Sequence, residues 1–467
     1  MTTTVTGRDP RAASRPAVRR TPAWWRGASA AGTWASLVFV VVLWVQGRGL
    51  QDLAGGAGAA STSVGRLTGL LSADLLLVQV LLMARLPWVE RSYGQDELVR
   101  RHRLVGFASF DLLVVHIALV TVGYAAQDAR RGIVAEAVHL VLDYPGMLLA
   151  TAGTAALVMV VVTSVRRARR RLRYESWHLL HLYAYLGVGL ALPHQLWTGS
   201  DFAGRTLASA FWWTAWGVTA TAVVLCRLGL PAWRSWRHHL VVDRVVPEVP
   251  GVVSVHLSGR HLDRLPVRAG QFFVFRFLDG DGWTRGNPYS LSACPDGRTL
   301  RITARDLGDG SSRLARLRVG ARVLVEGPYG RLTADVRTRP RMAVLTAGIG
   351  ITPGLAMLAE AHPGEAVLVH RTRTSKDGLF ATELADLADR GVRVVPVPGS
   401  RIPGRTSWLP REAAHLTDAG ALRQLIPDLP DRDVYVCGAA DWADAAAAAA
   451  RDAGVPASQL HVERFSW

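Results

Sequence analysis

The sequence predicts a six-helix transmembrane bundle followed by a small antiparallel β-barrel and an α/β nucleotide-binding domain. Three observations carry this expectation. Six apolar runs near bilayer length precede residue 230, short alternating runs follow residue 236, and a strand–glycine loop–helix pattern follows Pro340. The chain has 467 residues, of which 49% are hydrophobic, and a mean hydropathy of +0.17, high for a wholly soluble protein of two or three domains.

The apolar runs are Ala31–Leu50, Val64–Leu86, Leu104–Ala126, Gly146–Val165, Leu179–Trp197 and Leu207–Leu228. A spanning helix needs about 20 such residues, so each run is long enough to cross lipid. Arginine clusters lie before the first run, before the third (Arg100, Arg101, Arg103) and after the fourth (Arg166, Arg167, Arg169 to Arg171, Arg173). All three fall on one side of a six-span bundle, and the other side is poorer in arginine. The positive-inside rule therefore places both termini in the cytoplasm, at the cell membrane. Residues 1–30, rich in arginine and proline, are expected to be a disordered cytoplasmic tail, because no cleavage site closes the apolar run behind them.

From residue 236 the period changes to two. Leu240–Val246, Val252–Ser258, Phe272–Phe277, Leu300–Ala304 and Arg322–Val325 read as barrel strands, giving a domain over 236–338. In 339–467, Met342–Leu345 leads through Ala347-Gly348-Ile349-Gly350 into a helix over Pro353–Ala361. Strands are expected at Ala366–His370, Val392–Val397 and Asp433–Cys437, as in a nucleotide-binding α/β unit.

Composition excludes several classes. The net charge of +17 comes from 54 lysines and arginines against 37 acids, and Lys376 is the single lysine. Such a bias reads as GC-rich coding rather than as a nucleic-acid surface. Cys226, Cys294 and Cys437 are far apart, without the spacing of an iron–sulfur site or a disulfide framework.

The histidines carry the chemistry. Ionisable groups inside a bilayer are costly and point to function. His102 and His116 lie fourteen residues apart at the third run, and His181 and His194 thirteen apart on the fifth. At about 100° and 1.5 Å per residue, fourteen residues return to nearly the same face about 20 Å further along. Two helices with matched histidine pairs can hold two stacked b-type haems, each taking one imidazole from each helix. Thirteen residues do not return to the same face of an ideal helix. Pro193, just before His194, can kink the helix and correct this. His178 competes with His181. His139 has no partner and reads as structural, and Asp74 and Asp111 read as helix–helix hydrogen bonds or a proton path.

Several motifs of the second half resemble ferredoxin–NADP reductase-type domains. They are Asn287-Pro288-Tyr289-Ser290-Leu291-Ser292, Gly308-Asp309-Gly310-Ser311-Ser312, Gly327-Pro328-Tyr329-Gly330, Thr346 to Pro353, Val436-Cys437-Gly438 and Glu463-Arg464-Phe465-Ser466-Trp467. With the four membrane histidines, the whole is similar to ferric reductases and NADPH oxidases. The resemblance covers about Leu70 to Trp467. It implies FAD bound by Asn287, Pro288, Tyr289 and Ser290, with the Tyr289 phenol on the flavin ring, and by Gly308, Gly310, Ser311 and Ser312 at the pyrophosphate. Asn287 stands where the family usually has arginine or histidine. The nicotinamide nucleotide falls to Gly348, Gly350, Thr352, Pro353 and Gly438. Cys437, Glu463 and Trp467 are expected at the reaction centre, with Trp467, or else Phe465, covering the flavin. The alternative for Cys437 is a small buried residue. Arg371 and Arg373 follow the strand ending at His370, where a 2′-phosphate would lie, and favour NADP over NAD; solvated charges are the alternative.

The expected function is transfer of electrons from cytoplasmic NAD(P)H through FAD and two haems to an external acceptor: a ferric or cupric complex, or dioxygen. Two rivals remain: an electron-donating subunit for an external redox protein, and a haem-free channel or transporter regulated by nucleotide.

Overall fold

A computed structural model describes residues 24–128, 131–169, 174–198, 205–280, 282–374 and 378–465. The described residues divide into two compact units, one within Thr21–Gly229 and the other within Leu230–Trp467.

The first unit is helical: α1 (Trp24–Gln46), α2 (Gly49–Leu53), α3 (Ala57–Met83), α4 (Pro87–Tyr93), α5 (Gln95–Gln127), α6 (Ile133–Asp143), α7 (Met147–Ser164), α8 (Arg166–Arg169), α9 (Tyr174–Trp197) and α10 (Thr206–Ala222). Among the described residues, five helical stretches are long and apolar enough to cross a membrane: α1, α3, residues Glu97–Gln127 of α5, α7, and Thr206–His238. The sequence predicts six, and the difference lies in α9. That helix has 24 residues, but His178, His181, His194 and Pro193 lower its hydropathy. The groups that make it chemically interesting are the ones that hide it from a hydropathy criterion. The run Leu207–Leu228 is α10 up to Ala222, followed by a wide π turn over Val223–Gly229.

Small residues let these helices approach closely. A Cβ on Gly153 of α7 would lie 2.7 Å from the Gly187 carbonyl of α9, and one on Gly187 would lie 2.9 Å from the Gly153 carbonyl. Polar side chains add bonds between helices. Ser72 donates to the Ser109 carbonyl (2.7 Å), Trp44 Nε1 to the Ser63 carbonyl (3.0 Å), and Ser36 to Asp74 Oδ1 (2.6 Å). Asp74 thus takes the helix–helix role, whereas Asp111 is exposed on α5.

The second unit opens with α11 (Leu230–His238). Its antiparallel strands are β1 (Val241–Val249), β2 (Val252–Ser258), β3 (Phe272–Phe277), β4 (Asn287–Ser290), β5 (Thr299–Arg305) and β6 (Val323–Tyr329), with the short helix α12 (Asp309–Ser312) between β5 and β6. They form two three-stranded sheets, ordered β1-β2-β5 and β4-β3-β6. Isolated pairs Val241–Arg322 and Leu291–Ile302 bridge them. Alternate residues such as Val255, Phe273, Phe275, Leu291 and Ile302 fill one shared core.

The remainder is β7 (Met342–Ala347), α13 (Ile351–Leu358), β8 (Ala366–Arg371), α14 (Ala381–Asp389), β9 (Arg393–Val397), α15 (Asp418–Leu425), β10 (Asp433–Ala439), α16 (Ala440–Asp452) and β11 (Leu460–Phe465). The five strands are parallel, in the order β11-β10-β7-β8-β9. They read as continuous apolar runs because cores cover both faces, one including α13 and α14 and the other α15 and α16. Chain order runs outward in one direction from β7 and in the other from β10. The crevice between the ends of these two strands is therefore the switch point of the sheet, where open α/β sheets bind ligands.

Candidate redox site

One histidine pair meets across α5 and α9. The His102 and His181 rings lie 6.0 Å apart between centroids at 67°. Two metal–imidazole bonds of about 2 Å each, with the ring radii added, span roughly that separation. It is His181, not its competitor His178, that makes this contact. His194 lies within electrostatic reach of His116. The thirteen-residue offset on α9 does not separate the pairs, and Pro193 sits inside the helix between them.

Each ring is oriented through Nδ1. His102 Nδ1 lies 3.1 Å from the Gln79 carbonyl, His116 Nδ1 2.8 Å from the Gly65 carbonyl, and His194 Nδ1 2.6 Å from the Ala191 carbonyl. A carbonyl only accepts, so the proton sits on Nδ1 and the Nε2 lone pair is left for a metal. His181 Nδ1 lies 3.3 Å from Ser164 Oγ. Histidine that ligates a metal is held in this way, and the donor set fits haem iron with one imidazole on each side. Gly69 makes room for one ring, since a Cβ there would fall 2.5 Å from His116 Nδ1. Among the described residues no group of three or more metal-ligating side chains occurs. Paired ligands suit a metal whose remaining positions are filled by a macrocycle. His139 pairs with Asp143 (2.6 Å) on its own helix.

The flavin motifs lie together. Asn287 and Tyr289 are on β4, and the 308–312 turn faces them. A Cβ on Gly310 would sit 3.0 Å from Asn287 Oδ1, and the Tyr289 hydroxyl donates to the Gly310 carbonyl at 3.5 Å. Two expectations need correction. The Tyr289 ring is 7% exposed and packs toward Phe275 (6.4 Å), so little of the phenol is presented at the surface. Burial pushes its phenol up to about 12, which keeps it a neutral donor. In the turn, the Ser311 and Ser312 N–H groups both donate to the Gly308 carbonyl (3.0 Å each), so they are engaged inside the turn rather than aimed at a pyrophosphate. Pro288 is exposed and Ser290 buried. Sequence reasoning missed the network behind β4. Arg301 binds the Ser292 carbonyl (2.6 Å) and Oγ (3.0 Å), then both oxygens of Glu383 on α14 (2.6 and 2.8 Å).

At the switch point, Gly348 has φ +53°, and a Cβ there would meet nothing within 4 Å, so the backbone is open to a ligand. Gly350 answers a different need: a Cβ there would fall 2.5 Å from the Cys437 carbonyl. Thr352 and Pro353 are buried, and the Thr352 hydroxyl donates to the Ile349 carbonyl at 3.1 Å, so both shape the helix start. Cys437 pairs with Thr346 on one side and Glu463 on the other. It is 0% exposed, and burial, with the Glu463 carboxylate beside it, pushes the thiol well above its ordinary range. Gly438 lets Trp442 approach, 2.8 Å from a Cβ built there. Phe465 packs against the Cys437 core, while Trp467 lies outside the described residues.

The arginine expectation is corrected at one of its two positions. Arg371 is buried, and its guanidinium donates to the carbonyls of Thr372, Val397 (3.2 Å), Gly399 (2.8 Å) and Ser400 (3.0 Å). It ties β8 to the chain beyond β9 and is not presented to a phosphate. Arg373 is exposed at the same strand end.

Residues 68–192 match the family described as ferric reductase like transmembrane component. That stretch is similar to the ferric reductase-like transmembrane family. The matched span contains His102, His116 and His181, and His194 lies two residues beyond its end. Curated relatives include a flavohemoprotein of Xylella fastidiosa (strain 9a5c), 29% identical over 247 residues, 50% of this chain and 59% of the relative. The ferredoxin reductase component of 3-ketosteroid-9-alpha-monooxygenase from Mycolicibacterium smegmatis is 32% identical over 216 residues, 44% of this chain and 57% of the relative. NADH oxidoreductase HCR of Escherichia coli (strain K12) is 30% identical over 220 residues, 45% of this chain and 62% of the relative. The chain thus spans about three-fifths of the length of these relatives. One stretch of the chain is thus similar to the ferric reductase-like family, and close to half of the chain is similar to flavohemoprotein and reductase proteins.

Proposed function

We propose that the protein takes electrons from cytoplasmic NAD(P)H through FAD and two b-type haems and delivers them to an acceptor outside the membrane. The observation that carries this reading is the 6.0 Å approach of the His102 and His181 rings, with Nδ1 of His102, His116 and His194 held at main-chain carbonyls so that Nε2 is left for a metal.

Five apolar stretches and α9 make six spans, which return the chain to its starting side for residues 236–338 and 339–467 to act as the flavin and nucleotide domains. The arginine clusters put that side in the cytoplasm of a cell membrane. Bound FAD supplies the conversion of a two-electron hydride donor into one-electron steps, and the haems supply one-electron carriers. The chain's own residues bind and orient. Asn287, the Tyr289 hydroxyl and the 308–312 turn border the flavin. The open backbone at Gly348 admits the dinucleotide, and Arg373 faces a 2′-phosphate. Cys437, with a thiol held protonated by burial, packs near the nicotinamide with Glu463 beside it. Trp467 covers the flavin until nicotinamide arrives. Haems held by paired imidazoles of His102, His181, His116 and His194 would supply one-electron transfer to an acceptor that need not bind iron.

The test is turnover by purified full-length protein with NADPH or NADH, comparing ferric chelates, cupric chelates and dioxygen. Two low-spin haems per chain and reduction of a soluble acceptor are expected. A spectrum without haem bands overturns the reading. Reduced haems that pass electrons to no soluble acceptor transfer the role to an electron-donating subunit for an external protein.

A further inference from the structure

Three of the four paired histidines direct Nδ1 at the main chain, and His181 is the exception. Its Nδ1 faces the hydroxyl of Ser164, the last residue of α7, at 3.3 Å. Trp177 Nε1 donates to the same oxygen at 3.4 Å. The Trp177 ring lies against the His181 ring, with centroids 5.0 Å apart and planes 32° from parallel. The Arg169 guanidinium sits 4.5 Å from the Trp177 ring centroid. Side chains from α7, α8 and α9 therefore hold one ligand that elsewhere in the bundle is held by backbone.

We propose that Ser164 is the positioning residue of His181 and sets the electron-donating strength of that ligand, and with it the reduction potential of the inner haem. This rests on the reading that His102 and His181 share a haem. An indole N–H only donates, so it takes one of the two lone pairs of the Ser164 oxygen and leaves the other for His181 Nδ1–H. That tautomer leaves the Nε2 lone pair free for iron. The opposite arrangement, with the hydroxyl donating to Nδ1, puts the proton on Nε2 and excludes ligation. An acceptor on Nδ1–H raises the basicity of a ligating imidazole, and a more basic ligand favours ferric over ferrous iron. Among the described residues the outer pair differs, because His116 and His194 direct Nδ1 at the Gly65 and Ala191 carbonyls.

The experiment is a redox titration of purified full-length protein followed by haem absorption, with electron paramagnetic resonance of the ferric state. Ser164→Ala is expected to keep both haems, shift one of two midpoint potentials upward and change the g values of that haem alone. Ser164→Thr, which keeps the hydroxyl, is expected to restore both. Unchanged potentials and g values in Ser164→Ala, or an equal shift of both haems, overturns the proposal. If alanine costs the inner haem altogether, Ser164→Cys carries the test, since a thiol is a weaker acceptor: an upward shift supports the role and an unchanged potential overturns it. Wild-type protein without haem bands overturns the underlying haem reading instead, and its spectrum alone tells the two failures apart.

Discussion

His116 is fixed at both ends: Gly65 accepts from Nδ1, and Gly69 leaves room for the ring. Replacing His116 or His194 by alanine is expected to remove one haem of two, measured as haem per chain, and to abolish external reduction while flavin reduction by NAD(P)H persists. Full haem content in both variants refutes the ligand assignment. Cys437 behaves oppositely to a reactive cysteine. Its folded-state pKa is raised, so the folded chain keeps the proton, and stability from this group is lost as pH rises above the ordinary thiol range. Alkylation of the native protein near neutral pH is expected to spare Cys437 and to reach it after denaturation; rapid native labelling contradicts its burial. The histidines were legible in the sequence because lipid makes ionisable residues rare, so spacing stands out against a quiet background. Ser164 was not legible, since one serine among apolar residues carries no pattern until the fold brings it beside His181 and Trp177.

At the scale of elements, the end of β8 separates two arginines that the sequence treats alike. Arg371→Ala removes a buried guanidinium with its hydrogen bonds and is expected to lower the melting temperature of the protein by several degrees, a net cost of about 1.5–3 kcal/mol. Arg373→Ala is expected to raise KM for NADPH by roughly tenfold or more, a loss of about 1.5–3 kcal/mol, with little change for NADH. Equal effects on both nucleotides rule Arg373 out as the 2′-phosphate reader. The carbonyls that occupy Arg371 lie up to 29 residues further along, beyond what local pattern can reveal. Gly350→Ala places a Cβ against the Cys437 carbonyl and is expected to cost about 1–3 kcal/mol by overpacking, read by thermal melting. Strands β2 and β3 match their alternating runs residue for residue. The strand β4 escaped notice because Pro288 interrupts its pattern and its four residues are too few to show a period.

At the scale of the molecule, each of the two units has buried clusters of its own. The fragment 230–467 is therefore expected to fold alone, bind FAD and pass electrons from NAD(P)H to ferricyanide without haem. An unfolded fragment by circular dichroism contradicts the independence of the units. The two-part architecture was legible because the change from long apolar runs to alternating ones is abrupt. The sequence reads six spans where five described stretches are apolar enough to cross, because chemistry and hydropathy compete on α9. The main-chain anchoring of His102, His116 and His194 also has a genetic consequence. Every codon at positions 79, 65 and 191 supplies the same carbonyl, so no missense change there can delete the group itself. Of the four Nδ1 contacts, the one made by Ser164 to His181 is the one that a missense change of the contacting residue can delete.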